Sequence, residues 1–280
     1  MARTILHAKE PLVTLSPGVW LDRLQPGGRR GPADAVLGLM PGGQVWSDSF
    51  ELGTPADAFQ LMVPDIRLPA NQYWPLHWHD CWIAVVVLDG ACLIGDWWMA
   101  PGDMLISAAG IEYGPLVIGP DGCQMFEVFA RLHEHQGGYA LEYRDHPTLQ
   151  DGQHAFKPRT GVNLRNERRM SLPCDGVDGL IKGRLEAGGR WDLGEPDDPE
   201  RGVIGYTLLR PGERIAAHAY ADWHGLFMLK GGVVLGKREL VAGEVIIAEP
   251  YAALDTIEAG ASGAQLFEVA RTAAGMERQS

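Results

Sequence analysis

Short apolar segments of strand length alternate with turn residues along most of this chain. In the first half, four such segments lie at residues 83–88, 91–96, 103–108 and 124–130, each rich in aliphatic, β-branched or aromatic residues. Gly, Pro and Asp residues separate them at intervals of about 8–12 residues, a spacing typical of β-sandwiches and barrels. No long segment repeats its apolar positions with the 3.6-residue period of a helix. The pattern predicts an all-β protein.

The second half of the chain repeats the first at an offset of 141 residues. This offset aligns His77 with His218, and 13 of the 52 positions from 77 to 128 are then identical. Unrelated sequences would share about three or four, so the repeat indicates a duplicated domain. We therefore predict an N-terminal barrel at residues 1–135, a linker at 136–160 and a C-terminal barrel at 161–280.

The composition excludes several classes of protein. The 280 residues include 36 Gly and 19 Pro, as expected for many turns, and 36 acidic against 24 basic residues give a net charge of −12. A duplex-binding surface is not expected, since affinity for phosphates comes largely from Lys and Arg. The N-terminus lacks the apolar core of a signal peptide, no apolar run approaches a membrane span, and the four cysteines form no CxxC pair. These features predict a cytoplasmic, reducing setting.

Two motifs in the first half resemble those of the cupin superfamily. The first reads PLHWHDCWIAVVVLDG from Pro75, and the second reads GDWWMAPGDMLISAAGIEYG from Gly95. Their HxH, their turn glycines and the PGD sequence carry the likeness. With the internal repeat, the chain resembles a bicupin. The resemblance implies two tandem cupin barrels, of the double-stranded β-helix or jelly-roll type, with a lumen that often holds iron, manganese, zinc, nickel or copper.

In the first copy, His77 and His79 are the candidate metal ligands. Residues i and i+2 of a strand share a face, so both imidazoles can enter the lumen. Cupins usually complete such a site with a Glu from the first motif and a His from the second. Here the Glu position, 83 or 84, carries an apolar residue, and the His position is Tyr113, beside Glu112. Either neighbour is a candidate third ligand or proton-transfer group, and Trp74, near the barrel mouth, is a candidate substrate contact.

The second copy carries a different set of polar residues. His218 keeps its place, Tyr220 replaces the second His, and His224 occupies the Glu position. The three share strand parity and form a second candidate site that faces one lumen. Because the set contains no carboxylate and an aliphatic residue holds the last ligand position, we expect metal here less than in the first copy. For Glu127 and Glu268, which recur at equivalent positions, we expect a structural role.

The favoured function is a metal-dependent enzyme that works from the N-terminal barrel. Fe(II), the preferred metal, would bind a small oxygenated organic or aromatic compound and O₂, which is the dioxygenase-type oxidoreductase chemistry that the cupin resemblance implies. Nickel is a further candidate metal, and zinc or manganese would favour isomerase or lyase chemistry. The alternative is a non-catalytic small-molecule-binding or sensing bicupin that has lost its metal. A small-molecule substrate is the expected partner, and the sequence leaves open whether the chain forms a homodimer. We expect neither nucleic acid nor a membrane as a partner.

Overall fold

The computed structural model describes residues 13–23, 46–54, 57, 60–70, 73–74, 79, 81–111, 113–130 and 176–279. Within these residues the chain consists of β-strands, a 3₁₀ helix at Ala273–Met276 and no α-helix. The strands are β1 (Val13–Ser16), β2 (Val19–Arg23), β3 (Trp46–Leu52), β4 (Leu61–Leu68), β5 (Tyr73–Trp74), β6 (Ile83–Ile94), β7 (Trp97–Met99), β8 (Asp103–Ser107), β9 (Leu116–Phe129), β10 (Leu180–Arg184), β11 (Arg190–Leu193), β12 (Gly202–Leu209), β13 (Arg214–Ile215), β14 (Ala219–Tyr220), β15 (His224–Leu235), β16 (Arg238–Val241), β17 (Glu244–Ala248), β18 (Ile257–Ala270) and β19 (Arg278–Gln279). No helix in this part of the chain is long and apolar enough to cross a membrane.

The chain divides into two compact units, and unit 1 is built mainly from the second half of the sequence. Its sheet has the order β1-β2-β17-β15-β18-β12-β11, with β13 paired to β18 and β16 paired to β15. The β15–β18 ladder is antiparallel, and His224 lies opposite Ala270 in it. Leu226 and Leu266, which lie on these two strands, belong to the buried apolar cluster that fills the lumen.

Unit 2 contains a second sheet with the same plan. The order is β10-β8-β6-β9-β4-β3, with β5 paired to β9 and β7 paired to β6. Ile83 lies opposite Phe129 in the β6–β9 ladder, and each lies 141 residues before its counterpart in unit 1. Both ladders have register shifts at the same two equivalent places, which lets a long strand bend around a barrel. The predicted all-β architecture of two repeated barrels is confirmed.

The repeated glycines mark tight turns in both barrels. Gly90 and Gly231 have φ values of 70° and 73°, in the left-handed region that favours glycine. A Cβ atom at either position would collide with the carbonyl oxygen of Gly122 or Gly263, respectively, and these two glycines are also repeat partners. Part of the glycine content therefore follows from close backbone contacts that occur once in each barrel.

The units depart from the predicted boundaries because each sheet takes strands from the other half of the sequence. β2 pairs with β17 over five residue pairs, which places residues 13–23 in unit 1. β10 pairs with β8 over five residue pairs, which places residues 180–184 in unit 2. These ladders satisfy backbone groups that would otherwise stand open at a sheet edge. The predicted linker, 136–160, lies outside the described residues.

Candidate functional site

The first lumen holds a buried histidine–tyrosine pair, His79 and Tyr113. His79 lies before β6 and Tyr113 before β9, and their exposed fractions are 2% and 1%. The hydroxyl oxygen of Tyr113 lies 2.9 Å from Nε2 of His79. The main-chain N–H of Gly110 donates to the carbonyl oxygen of His79 at 2.7 Å, which holds the backbone at this point. Two residues predicted from sequence therefore meet inside the barrel.

Glu127 adds a buried carboxyl group on β9 of the same unit. It lies opposite Val85 in the β6–β9 ladder and is 3% exposed. Its repeat partner, Glu268, faces the lumen of the other barrel. Burial raises the pKa of Glu127 to about 7, so this group changes its protonation state near neutral pH. The first unit thus contains an ionisable carboxyl group in addition to the imidazole and the phenol.

Two cysteines of unit 2, Cys92 and Cys123, are buried free thiols. Their repeat partners, Val233 and Ala264, belong to the apolar cluster of the second lumen. Burial raises the pKa of both thiols, to about 12 for Cys123, and the carboxyl group of Glu127 adds to the rise for Cys92. Protonated thiols are weak nucleophiles and weak metal ligands, so these two side chains line the barrel and do not extend the candidate site.

Other residues predicted for the first site lack a described side chain. His77 and Glu112 lie outside the described residues. Trp74 lies opposite Leu116 where β5 pairs with β9, and its side chain is outside the described part of the chain. Across the residues that are described, no three His, Cys, Asp or Glu side chains converge closely enough to hold a metal ion. The roles of these residues in binding metal or substrate stay predictions.

The second lumen brings its three predicted residues into contact. The rings of Tyr220 and His224 are stacked, with their centroids 3.6 Å apart and their planes inclined by 1°. The ring of His218 meets Tyr220 edge-on at 4.8 Å. His218 lies in a β-bridge with Leu254, while Tyr220 ends β14 and His224 begins β15. The structure thus brings together the residues that strand parity placed on one face.

Backbone hydrogen bonds orient both imidazoles of this lumen. Nδ1 of His218 lies 2.7 Å from the carbonyl oxygen of Ala216, and Nδ1 of His224 lies 3.2 Å from that of Gly275. Because a carbonyl oxygen only accepts, the Nδ1 atom of each ring carries a hydrogen. Nε2 of His218 is buried and makes no hydrogen bond to a described residue. Nε2 of His224 is buried and lies against the carboxylate of Glu268.

A carboxylate that the sequence-based site lacked, Glu268, lies beside these rings. Its Oε2 is 3.4 Å from Nε2 of His224 and accepts a 3.4 Å hydrogen bond from the Tyr220 hydroxyl. Thr207 donates a short hydrogen bond to Oε1, and a guanidinium nitrogen of Arg278 lies 3.3 and 3.4 Å from the two carboxylate oxygens. The expectation that the second site contains no carboxylate is therefore wrong. Glu268 lies at the centre of the cluster.

The sequence contained a signal for Glu268 but hardly one for Arg278. Glu268 follows Ala264 and Leu266, which line the lumen, at intervals of two residues along the same strand. Strand parity alone would therefore have placed its side chain inside the lumen. Arg278 lies on β19, where it opposes Tyr220 of β14. The repeat offset aligns Arg278 with Gly137, so a comparison of the two copies does not reveal a charged residue at this position.

The charges of the second lumen balance one another. Burial opposes the ionisation of Glu268, but the neighbouring His224 and Thr207 side chains and the charge of Arg278 hold its pKa at about 2. Burial raises the pKa of Tyr220 and lowers that of His218, which keeps both groups neutral at neutral pH. A divalent cation beside Glu268 would meet the guanidinium group at close range. The donor set of this lumen, with Arg278 in place, does not fit a metal.

Comparisons with known proteins show the fold. No protein-family model matches the sequence, and no curated protein matches it. Among solved structures it is similar to the bacterial pirin YhhW of Escherichia coli in complex with nickel(II), with a TM-score of 0.52 and 14% identity over 91% of this chain and 99% of that one. It is also similar to a proposed dioxygenase from Nostoc punctiforme, with a TM-score of 0.52 and 14% identity over 82% and 83% of the two chains. A variant of Bacillus subtilis oxalate decarboxylase OxdC gives a TM-score of 0.50 and 14% identity over 81% and 73%. The chain therefore shares with these proteins a fold of two jelly-roll barrels, and its two motifs that resemble those of cupins depart from the cupin pattern at the metal-ligand positions.

Proposed function

We propose that this protein is a metal-dependent cupin enzyme that binds one divalent metal ion, with Fe(II) preferred, in its N-terminal barrel. The substrate would be a small oxygenated organic or aromatic compound, and the reaction a dioxygenase-type oxidation. His77 and His79 would hold the metal, with Tyr113 or Glu112 as the third group. One observation carries this proposal, the 2.9 Å separation between Nε2 of His79 and the Tyr113 hydroxyl oxygen inside a buried lumen.

The His79–Tyr113 separation suits two ligands of one ion. Two atoms that each lie about 2.1 Å from a metal, at right angles to one another, are about 3 Å apart. His79 belongs to the HxH motif, and Tyr113 occupies the position at which the second cupin motif usually supplies its histidine. Imidazole and oxygen donors together suit non-haem iron and also zinc or manganese. The described donors of the first lumen therefore fit a divalent metal.

Similar proteins support the presence of a divalent metal ion but do not identify which metal this chain binds. The Escherichia coli pirin was solved with nickel(II), and Mn(II) centres are described for the Bacillus subtilis oxalate decarboxylase. The similar Nostoc punctiforme protein is a proposed dioxygenase. These properties belong to those proteins, and their relevance to this chain rests on the shared barrel and on the donors in its first lumen.

The residues of the first barrel would bind, orient and protect the substrate. A divalent metal, when bound there, would orient the oxygens of the substrate and polarise them. The Tyr113 hydroxyl can hold or pass a proton at its oxygen atom, and Glu127 can exchange one near neutral pH. Val85 and Val87 on β6 are fully buried and exclude water from this part of the barrel.

Metal content tests the proposal. Protein purified without chelators should contain about one metal ion per chain by elemental analysis, and the His77→Ala/His79→Ala double variant should contain almost none. The matched control is His218→Ala/His224→Ala, which removes two imidazoles from the other barrel and should keep the metal. Unchanged metal content in the first double variant would overturn the assignment of the site. Metal-free wild-type protein would instead favour the non-catalytic small-molecule binder.

A further inference from the structure

A cavity of about 670 Å³ lies at one end of the C-terminal barrel. It is formed by β1, by the turn from β15 to β16 and by residues 253–255, and all three segments belong to unit 1. None of the polar side chains that meet in the second lumen lines it. Its volume falls within the range of sites that bind small molecules. The cavity is therefore a candidate ligand site that is distinct from the lumen cluster.

This cavity has an apolar floor and a fixed wall. Leu235 and Leu254 line it, are 7% and 3% exposed, and belong to the buried apolar cluster of the barrel. The Ser16 hydroxyl donates to the carbonyl oxygen of Ala253 at 3.4 Å, which joins β1 to the opposite segment. The apolar part of a ligand would leave water when it covers these two leucines, and this transfer favours binding.

Two basic and two acidic side chains also line the cavity: Lys237, Arg238, Glu239 and Asp255. All four are exposed, and none forms an ion pair or a side-chain hydrogen bond with a residue that the structure describes. Opposite charges are nevertheless close to one another. A Cβ atom on Gly236 would collide with the carboxylate of Asp255, which places this carboxylate at the turn that carries Lys237. The cavity thus offers groups of both signs that have no partner in the described part of the chain.

The barrel fold does not require these charges. The first copy has Trp97 where the second has Arg238, and Gly114 where the second has Asp255. Turn glycines such as Gly231 are kept in both copies because close backbone contacts demand them. Since the charged residues differ between two copies of one fold, they belong to this cavity and not to the architecture of the barrel.

We propose that this cavity binds a small zwitterion with an apolar body, of the class of the free apolar amino acids. The two basic side chains pair with the carboxylate of the ligand, the two acidic side chains pair with its ammonium group, and its apolar part lies on the leucine floor. A ligand with both charges gains from both sets, whereas a ligand with one charge is attracted by one set and repelled by the other. The proposal does not depend on the function proposed for the N-terminal barrel.

Calorimetric titration of chelator-treated protein with L-phenylalanine and two analogues tests the proposal. Phenylpropionate lacks the ammonium group and phenylethylamine lacks the carboxylate, while both keep the apolar ring. L-Phenylalanine should bind at about one molecule per chain, and each analogue should bind about 10-fold more weakly, because one charged contact is lost. Equal affinity for all three compounds, or no binding of L-phenylalanine, would overturn the proposal.

Charge variants show which side chains contact each end of the ligand. Lys237→Gln/Arg238→Gln should weaken the binding of L-phenylalanine by about 10-fold and should not weaken that of phenylethylamine. Glu239→Gln/Asp255→Asn should weaken L-phenylalanine by a similar factor and should not weaken phenylpropionate. Arg214→Gln, in an exposed ion pair of the same unit, is the matched control and should bind like the wild type. Wild-type affinity for L-phenylalanine in both double variants would overturn the proposal.

The position of the bound ligand separates this cavity from the N-terminal barrel. Crystals soaked with L-phenylalanine should show the molecule between β1 and the turn from β15 to β16. Loss of binding in His77→Ala/His79→Ala, with unchanged binding in Lys237→Gln/Arg238→Gln, would instead place the ligand in the N-terminal barrel and overturn the proposal. The metal content of the wild type, which tests the proposed function, does not affect this measurement because the metal has been removed.

Discussion

Glu127 and Glu268 occupy equivalent positions in the two barrels, but their carboxyl groups have opposite pKa shifts. Glu127 lies opposite Val85 and Glu268 opposite Leu226, and the members of each equivalent pair are 141 residues apart. Burial raises the pKa of Glu127 to about 7. Glu268 is equally buried, yet its neighbours, among them Arg278, hold its pKa at about 2. Glu268 therefore has a positively charged partner within its own barrel, whereas burial alone shifts the pKa of Glu127.

The first prediction concerns the pH dependence of stability that Glu127 causes in chelator-treated protein. Its pKa is higher in the folded protein, about 7, than the ordinary value of 4.5, so the folded state holds this proton more tightly. The stability that results is fully present below pH 4.5 and is lost as the pH rises through 7. Glu127→Gln should therefore raise the free energy of unfolding at pH 8 by about 3 kcal/mol and leave it almost unchanged at pH 4.

Urea unfolding at the two pH values measures this effect. Glu258→Gln, at an exposed pair with Arg214, is the control and should change the free energy of unfolding by less than about 1 kcal/mol at either pH. An equal effect of Glu127→Gln at pH 4 and pH 8 would show that the carboxyl group does not titrate in this range.

The second prediction concerns the ion pair of the other barrel. Glu268→Gln removes the negative partner of Arg278 and weakens a buried network, so it should lower the free energy of unfolding by about 3 kcal/mol at neutral pH. Because the pKa of Glu268 is lowered, its contribution is present above pH 4.5 and is lost as the pH falls towards 2. The difference between Glu268→Gln and wild type should shrink in acid unfolding curves below pH 4.5. A difference that stays constant down to pH 2 would contradict the charged state of Glu268.

The third prediction concerns the hydroxyl group of Tyr113. Tyr113→Phe keeps the ring and removes the oxygen that lies 2.9 Å from Nε2 of His79. The chelator-treated variant should lose about 1 kcal/mol of stability, since one buried hydrogen bond is broken. Its metal affinity, measured by competition with a chelator, should fall by about 10- to 100-fold. Tyr220→Phe removes a buried hydroxyl from the other barrel and should leave metal affinity unchanged, and an equal loss in both variants would argue against a role for Tyr113 at the metal.

The fourth prediction concerns one backbone turn that both barrels share. Gly110 and Tyr251 are repeat partners with φ values of 78° and 61°. The N–H of Gly110 donates to the carbonyl oxygen of His79, and the N–H of Tyr251 donates to that of Tyr220, each at 2.7 Å. The left-handed region costs a residue with a side chain about 1 kcal/mol. Gly110→Ala should lower the free energy of unfolding by about that amount, although no heavy atom of the residues that the structure describes, apart from the immediate chain neighbours, lies within 4 Å of the added Cβ. Tyr251→Gly should raise the free energy of unfolding. Thermal unfolding measures both changes, and a change of the same sign in the two variants would contradict this account.

The sequence predicted the fold because the duplication left its turn glycines in place. Gly90 and Gly231 are required by close backbone contacts in each barrel, and they remained aligned while most side chains diverged. The exchange of strands between the two halves of the sequence could not be predicted in this way. β2 and β17 are more than 200 residues apart in sequence, and the residues of β2 have no local feature that distinguishes one sheet from the other.

The candidate sites were predicted in part. Strand parity grouped His218, Tyr220 and His224 correctly, because all three lie near each other in sequence and on one face. Glu268 was assigned a structural role because it recurs in both copies, although recurrence is equally compatible with a place in each lumen. Arg278 could not be predicted, since its position depends on β19 pairing with β14 and the first copy has no matching charge.

An anomalous-difference map from wild-type crystals, recorded at the absorption edge of the bound metal, tests the central claim most directly. The account predicts one strong peak in the N-terminal barrel, within bonding distance of His79. It also predicts no peak beside Glu268, where Arg278 already contacts the carboxylate. A peak between His224 and Glu268 with none near His79 would contradict the account.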